Sequence, residues 1–415
     1  MGVRYVRIVR PDVRQFVHLA DSGQRIIDHR DDLALAPNHQ TPTMHRVAIS
    51  STGLFTPPEV ITNEELVAAF NAYAALENTK YASEIAAGTR EALTDSNVEF
   101  IEKASGIKRR YVMSKSGVLD PQRMRPSFTA RTDSELSLMA EIGVKACQDA
   151  LRAAGKTAAD VDGLICAAAN MQRAYPAMGV EIQTALGVQG YAFDMNVACS
   201  SATFALEMAA NAVRTGSARA ILVVNPEITS AHLAWKDRDC HFIFGDVCTA
   251  VLVERLELAP AGAFEILGTR LLSTFSNNIR NNAGFMSRAE DRDPEDRDQL
   301  FCQEGRKVFK EVCPMAAEHM AGHLADLGFK PSGVRRFWLH QANLAMNQLI
   351  SRKLLGRDAT AEDAPVILDE FANTASAGSI IAFHRHKADF MAGDVGMICS
   401  FGAGYSIGSA LVRKL

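Results

Sequence analysis

Cys199 lies within AFDMNVACSSATFALEMAANAVRTG, residues 192–216. A short apolar run precedes it, and the turn Ala198-Cys199-Ser200-Ser201 carries it. An alanine-rich pattern follows, with Phe204, Ala205, Met208 and Ala209 on one stripe. That order predicts a strand handing a thiol to the first turn of a buried helix. The unpaired N–H groups and the positive end of the helix dipole favour S⁻ there. A free thiol of pKa about 8.5 is roughly 3% thiolate at pH 7, and a drop of about 2 units makes it about three-quarters thiolate. The expected chemistry is nucleophilic attack. A buried structural cysteine is the competing reading, and this stretch alone leaves both open.

A repeat supplies two more candidates. LICAAAN at 164–170 aligns without a gap on FWLHQAN at 337–343. Each follows a helical pattern, 134–155 in one case and 307–327 in the other. From Asn170 to Cys199 is 29 residues, and from Asn343 to Asn373 is 30. At Asn373 the chain reads ANTASAGSIIAF, again a small-residue turn opening an apolar helix. The trailing strands ARAILVV and GDVGMICSF also match. This alignment puts Cys199 and Asn373 at equivalent turns of two duplicated halves, with His340 at the end of a second-half strand. A pseudo-twofold arrangement brings all three to one interface. His340 alone reads as a satisfied core histidine; with the repeat it reads as part of a shared site.

The elements that must position these residues are legible from Met44 onward. The chain has 415 residues, 47% of them apolar, and 28 glycines, which fits a globular protein with a large core. The net charge of −4 and the lack of a long basic tract exclude a nucleic-acid footprint. Eight cysteines without a C-x-x-C pair argue for reduced thiols in a cytoplasmic setting, and against a zinc site or disulfide scaffold. No apolar run approaches the roughly 20 residues of a membrane span, and the N-terminus lacks signal-peptide order.

Residues 1–43, rich in Arg, Asp and His, read as a non-core extension left by an upstream start codon. The spacing predicts a helix over 63–93 capped by Asn63. A helix ending at Gly106 and a basic strand follow over 98–113, and a long loop over 114–132. Buried strands follow at 161–170 and 218–227, with a glycine-broken strand pair at 241–255. A new unit begins near Phe264, dividing the core into halves 44–258 and 259–415. Fully apolar strands alternating with helices mean an α/β core covered on both faces.

Five stretches in order carry a resemblance. They are FDMNVACSSATFAL, HFIFGDVCTAVLVE, WLHQAN, FANTASAGS and SFGAGYSIGSALV. Over Met44–Leu415 the chain resembles the thiolase-fold condensing enzymes, specifically the β-ketoacyl-acyl-carrier-protein synthase III family, and within it the medium-chain members. The resemblance implies a thiolase-like α/β fold of two duplicated halves in five layers (αβαβα). It also implies a homodimer that needs no cofactor or metal and works in fatty acid biosynthesis. Cys199 is then the residue acylated by an acyl-CoA, near octanoyl-CoA in length. His340 and Asn373 hold the thioester carbonyl of malonyl acyl carrier protein during decarboxylative condensation. The Cys199 N–H and the loop Gly402-Ala403-Gly404 are expected to supply donors for the tetrahedral oxyanion, because small residues admit close backbone approach. A tight turn between strands explains those glycines too. A phosphate loop does not, since no P-loop lysine follows.

The chain departs from the family pattern in two places. The family's adenine-flanking tryptophan and arginine are replaced by Phe100 and Ala104, ahead of Ser105-Gly106-Ile107-Lys108. CoA contacts are therefore expected from Phe100, Lys108, Arg109 or Arg110. The basic residue that follows HQAN is missing, which leaves Arg352 and Lys353 to meet an acidic carrier protein. Tyr175 matches a residue that lines the acyl tunnel across the dimer interface, and segments 67–96 and 114–132 are placed to reshape its mouth. Two other readings remain at this stage. One is an acyltransferase or acyl–acyl condensing enzyme of secondary metabolism. The other is a non-catalytic acyl-binding member of the fold.

Overall fold

The computed structural model describes residues 44–415; the 1–43 extension lies outside the described residues. Its organising element is one sheet of nine strands. In chain order these are β1 (Val47–Phe55), β2 (Gly163–Ala167), β3 (Tyr191–Met195), β4 (Ala220–Glu227), β5 (Val247–Arg255), β6 (Phe264–Ser276), β7 (Arg336–Leu339), β8 (Val395–Gly402) and β9 (Gly404–Lys414). The spatial order is β7-β8-β9-β6-β1-β5-β4-β2-β3.

That order is a mirrored repeat. On one side β2 lies parallel to β4, β4 antiparallel to β5, and β5 antiparallel to β1. On the other, β7 lies parallel to β8, β8 antiparallel to β9, and β9 antiparallel to β6. The two arms join where Ala48 and Ile49 of β1 pair with Glu265 and Phe264 of β6. The boundary we propose between the halves, at 258/259, falls between β5 and β6. The outer place held by β3 in the first arm belongs in the second to the segment around Asp363, whose carbonyl accepts from Phe337 N–H (2.8 Å).

The longer helices are α1 (Asn63–Lys80), α2 (Val98–Ser105), α3 (Leu138–Ala154), α4 (Met178–Leu186), α5 (Ser201–Arg214), α6 (Gly305–Asp326), α7 (Leu344–Leu355) and α8 (Gly378–Arg385). One apolar cluster holds α5 and α8 with inward residues from both arms, including Ile165, Val223, Val251, Ile398 and Val412. A second packs α3 and α4 on the first arm, and another packs α6 and α7 on the second. The result is the five-layer αβαβα arrangement, with α5 and α8 as the central layer. The face of α5 turned to this cluster is lined by Ala202, Ala205, Ala209 and Ala210, which lets the helix pack closely between the two arms of the sheet.

Local chemistry explains the element ends. Thr62, not Asn63, caps α1: its hydroxyl accepts from Glu65 N–H while Glu65 accepts from Thr62 N–H. Asn97 caps α2, and Gly106 ends it in the left-handed region at φ +85°. The helix expected over 63–93 stops at Lys80. Residues beyond the short helix Ala82–Ala86 run back along α1, because Asn71 and Asn78 bond the backbone of Ser96 and Leu93. The expected strand pair at 241–255 is a single strand from Val247; before it, Ile243 and Gly245 bond the backbone of Asn373 instead of a neighbouring strand. No helix among the described residues is long and apolar enough to cross a membrane.

Gly53 of β1 lies against α3: an added Cβ there meets Ala146 O at 2.1 Å and Ala150 N at 2.5 Å. Backbone cannot step aside as a side chain can. Gly53→Ala is expected to cost about 1–3 kcal/mol as overpacking, read as a lower denaturant midpoint at unchanged slope.

Candidate active site

Two turns open the central helices, and they are copies of each other. Ala198–Ser200 forms a tight helical turn ahead of α5, and Ala375–Ala377 forms one ahead of α8. Both begin with an alanine at φ +46°. Each is preceded by an asparagine whose Oδ1 accepts from that alanine's N–H: Asn196 from Ala198 (2.8 Å) and Asn373 from Ala375 (2.9 Å). This corrects the alignment by three residues. Asn373 is the counterpart of Asn196, and the counterpart of Cys199 is Ser376. The sequence alignment anchored on the strand ends, and the loops between strand and turn differ in length.

Gly402 governs the surroundings of Cys199. An added Cβ on Gly402 would stand 2.5 Å from Cys199 Cβ and 3.1 Å from its Sγ. The backbone N–H groups of Ala403 and of Cys199 itself point at the sulfur and pull its pKa down. Enclosure opposes them and dominates, and the Glu227 carboxyl adds to it, so the thiol is pushed up to about 12. A depressed pKa was the expectation from the helix start. The two N–H groups are present, but desolvation of the anion outweighs them. Cys199 is thus a thiol at neutral pH. Gly404 lies one residue further along the same loop, in the left-handed region at φ +133°.

His340 follows β7, with its N–H donating to Cys399 O (2.7 Å) and its ring edge-on to Phe401 at 5.2 Å. Burial pushes its pKa down to about 4, against a smaller opposing effect of the Ala375 backbone. The imidazole is therefore neutral, and its Nδ1 has no hydrogen-bond partner. The rest of HQAN is structural. Gln341 bonds Leu339 O, Pro365 O and Ile367 N–H. Asn343 caps α7 and holds Ala104 O.

Asn373 is clamped by its backbone. Its N–H donates to Ile243 O (3.0 Å), and its carbonyl accepts from Gly245 N–H (3.1 Å). Gly245 tolerates this because a Cβ there would meet Phe371 O at 2.5 Å. Since Oδ1 is engaged by Ala375, the amide NH₂ is the group left to donate. The two turns lie against each other.

Two buried carboxyls were missed by sequence reasoning. Asp246 accepts from Met113 N–H, Ser230 N–H and Ser230 Oγ–H, and burial pushes it up to about 6. Glu227, at the end of β4, accepts from Ala169 N–H, Ser376 N–H and Ser376 Oγ–H, and burial pushes it up to about 8. Glu227 closes an apolar strand run and Asp246 immediately precedes one. That was the available signal, since an ionisable group rarely enters such a place without a role.

The peripheral candidates disperse. Phe100 is partly exposed, but the Arg238 guanidinium covers its ring at 4.0 Å. Lys108 and Arg109 are exposed. Arg110 is fully buried and bonds Ile61 O, Asn63 Oδ1 and Phe242 O, so it is not available to a ligand. Arg352 and Lys353 are exposed on α7, with Arg352 paired to Asp358. Tyr175 is 85% exposed. A cavity of about 1260 Å³ lies beside it, lined in part by Phe128, Met139, Asn170, Pro176, Ile228 and His232. The 114–132 loop contributes to that cavity, whereas segment 67–96 does not. A second cavity of about 480 Å³ touches Asn196–Ala198 and Ala403–Ser406.

Residues 193–273 match the 3-oxoacyl-[acyl-carrier-protein (ACP)] synthase III family, and residues 324–414 match its C-terminal region. The chain is 59% identical over 346 residues to a beta-ketodecanoyl-[acyl-carrier-protein] synthase of Pseudomonas aeruginosa, covering 83% of this chain and 99% of that one. It is 30% identical over 287 residues to a beta-ketoacyl-[acyl-carrier-protein] synthase III of Bartonella bacilliformis, covering 68% and 86%. The crystal structure of 3-oxoacyl-[acyl-carrier-protein] synthase III from Aquifex aeolicus superposes with a TM-score of 0.68 at 24% identity, over 88% of this chain and 99% of that one. At that identity the superposition speaks for the fold alone.

Two outcomes follow from the crowded thiol. Alkylation of Cys199 by iodoacetamide, followed by peptide mass spectrometry, should rise about tenfold per pH unit from pH 7 to 9. A plateau near pH 7 would contradict the raised pKa. Gly402→Ala should slow the same alkylation by roughly 10–100-fold, because the methyl displaces the sulfur from its donors.

Proposed function

Because this chain belongs to the 3-oxoacyl-[acyl-carrier-protein] synthase III family, we propose that it condenses a medium-chain acyl-CoA, near octanoyl-CoA, with malonyl acyl carrier protein. The products are 3-ketoacyl carrier protein, CoA and CO₂, in fatty acid biosynthesis in the cytoplasm. The near full-length likeness to a beta-ketodecanoyl synthase carries this reading.

In the first stage Cys199 attacks the acyl-CoA carbonyl. The S–H bond breaks as the S–C bond forms, and the proton leaves with CoA as its thiol. A thiol of raised pKa suits a coupled step of this kind, and it protects the resting enzyme from adventitious electrophiles. The backbone N–H groups of Cys199 and Ala403 are the proposed donors to the tetrahedral oxyanion. Gly402 keeps that approach clear.

In the second stage the malonyl C–C bond breaks, CO₂ leaves, and its electron pair becomes an enolate at the thioester carbonyl. The neutral His340 imidazole and the Asn373 NH₂ are the proposed donors to that oxygen. The carbanion carbon then attacks acyl-Cys199, and the thiol is regenerated with a proton from solvent. Neutral donors fit both the starting carbonyl and the developing charge. A pKa of about 4 keeps His340 in one state across the working range, so no histidine limb is expected between pH 5 and 8.

CoA is proposed to approach past Phe100, Lys108 and Arg109, and the carrier protein along Arg352 and Lys353. We propose a homodimer through the free edge of β3. Its exposed Tyr191 and Phe193 stack at 6.5 Å, and β3 has no outer neighbour among the described strands. An unpaired aromatic edge is a ready template for a second copy. Tyr175 of the partner subunit would close the larger cavity.

Purified enzyme given malonyl carrier protein and acyl-CoAs of two to twelve carbons tests the reading. One optimum near eight carbons, with stoichiometric CO₂, is the expected result; no malonyl-dependent CO₂ release would overturn it. Asn373→Asp should leave acylation of Cys199 intact and slow CO₂ release by roughly 10²–10³-fold, because a carboxylate repels the enolate it replaces a donor for.

A further inference from the structure

Glu227 is 1% exposed and stands between the two halves at the site. Its carboxyl accepts from Ala169 N–H (3.0 and 3.2 Å to its two oxygens), Ser376 N–H (3.1 Å) and Ser376 Oγ–H (2.5 Å). No arginine or lysine among the described residues forms an ion pair with it. A buried carboxyl held only by neutral donors is costly. Core packing alone would be better served by an apolar residue, so the cost calls for a return elsewhere.

The duplication indicates what that return is. Val224 of β4 pairs beside Cys166, and Cys399 of β8 pairs beside Leu339. Counting three residues on along each strand, Glu227 is the counterpart of Gly402. Ser376 is likewise the counterpart of Cys199, by their common place after a left-handed alanine. The same slot therefore exists under each turn. Beneath Cys199 it is kept open by glycine, which leaves room for the sulfur. Beneath Ser376 it is filled by the Glu227 carboxyl, which grips the turn by both backbone and side chain.

What that grip controls is one residue away. Ala375 precedes Ser376 and donates to Asn373 Oδ1, and that bond decides which end of the amide points away. Asn373 itself is flanked by Ala372 at φ +57° and Ala375 at φ +46°, both sparsely populated conformations for a residue with a Cβ. A turn with two such residues relaxes unless it is held from several sides. The loop 243–245 holds the backbone of Asn373, and Glu227 holds the far end of the turn.

We infer that Glu227 is a positioning residue for the second stage: it locks the Ser376 turn and so fixes the Asn373 amide with its NH₂ toward the site. This inference rests on the proposed role of Asn373. Both Ser376 bonds and the shorter Ala169 bond reach the same carboxyl oxygen, which the amide of a glutamine would reproduce, so the variant that releases the turn is Glu227→Leu, which removes every acceptor at similar volume.

The experiment compares Glu227→Leu, Asn373→Ala and the double variant in the full chain. Octanoyl transfer from octanoyl-CoA to Cys199 is followed by mass, and CO₂ release from malonyl carrier protein is followed separately. Glu227→Leu is expected to lower the maximal rate of CO₂ release by roughly 10–100-fold, with KM for malonyl carrier protein and the acylation rate within about threefold. In the double variant CO₂ release should equal that of Asn373→Ala alone. Equal losses in both stages, or losses that multiply in the double variant, would overturn the inference while leaving Asn373 in its role. Asn373→Ala with CO₂ release intact would remove the role of Asn373, and the inference with it. Should Glu227→Leu fail to fold, Ser376→Ala removes one of the same bonds from the other side. It should show the same stage selectivity at roughly 3–10-fold, and equal loss in both stages would again overturn the inference.

Discussion

Both turns of the site begin with an alanine in the left-handed region, and the rest of the site depends on holding those two residues there. Such a conformation costs on the order of 1–3 kcal/mol and persists only where the surroundings over-determine it. Around Ala198 this is done by Asn196 Oδ1, by Ser201 Oγ bridging Val197 N–H and Ala198 O, and by Ser200 Oγ bonding Ser406 O. Around Ala375 it is done by Asn373 Oδ1, by the bridge from Phe244 to Asn373, and by Glu227. Each set joins segments far apart in the chain, so the turns exist only when both halves are in place.

The duplicated halves supply matched scaffolding, and chemistry enters where the match is broken. A thiol stands opposite a serine hydroxyl, and a glycine opposite a glutamate. Both substitutions change how full a slot is. One side is left open for a reacting sulfur and two backbone donors. The other is packed with a carboxyl and cannot move. The site thus combines a nucleophile that needs room to form a tetrahedral centre with donors that must already be aimed when charge develops.

Burial sets the protonation states. It leaves Cys199 as a thiol and His340 as a neutral imidazole, and it raises the carboxyls of Glu227 and Asp246. A pocket built this way presents donors without net charge of their own. That suits a thioester whose carbonyl is neutral on entry and anionic only at the moment of bond breaking.

Residue types and their spacing single out Cys199, His340 and Asn373 as candidates, because a cysteine at a helix start, a histidine at a strand end and a small-residue turn leave local marks. The α/β alternation was legible for the same reason, since a strand covered on both faces is apolar at every position. Other features were settled only by packing. The three-residue shift that pairs Cys199 with Ser376 depends on loop lengths, which periodicity does not measure. The direction of the thiol's pKa depends on burial, which the folded chain alone supplies. Arg110 reads as a surface cation until its three acceptors close around it, and Phe100 reads as a free aromatic face until Arg238 lies over it. Glu227 carried no motif at all. Its part in the site comes from donors on two other segments, and only the folded chain brings them to one carboxyl.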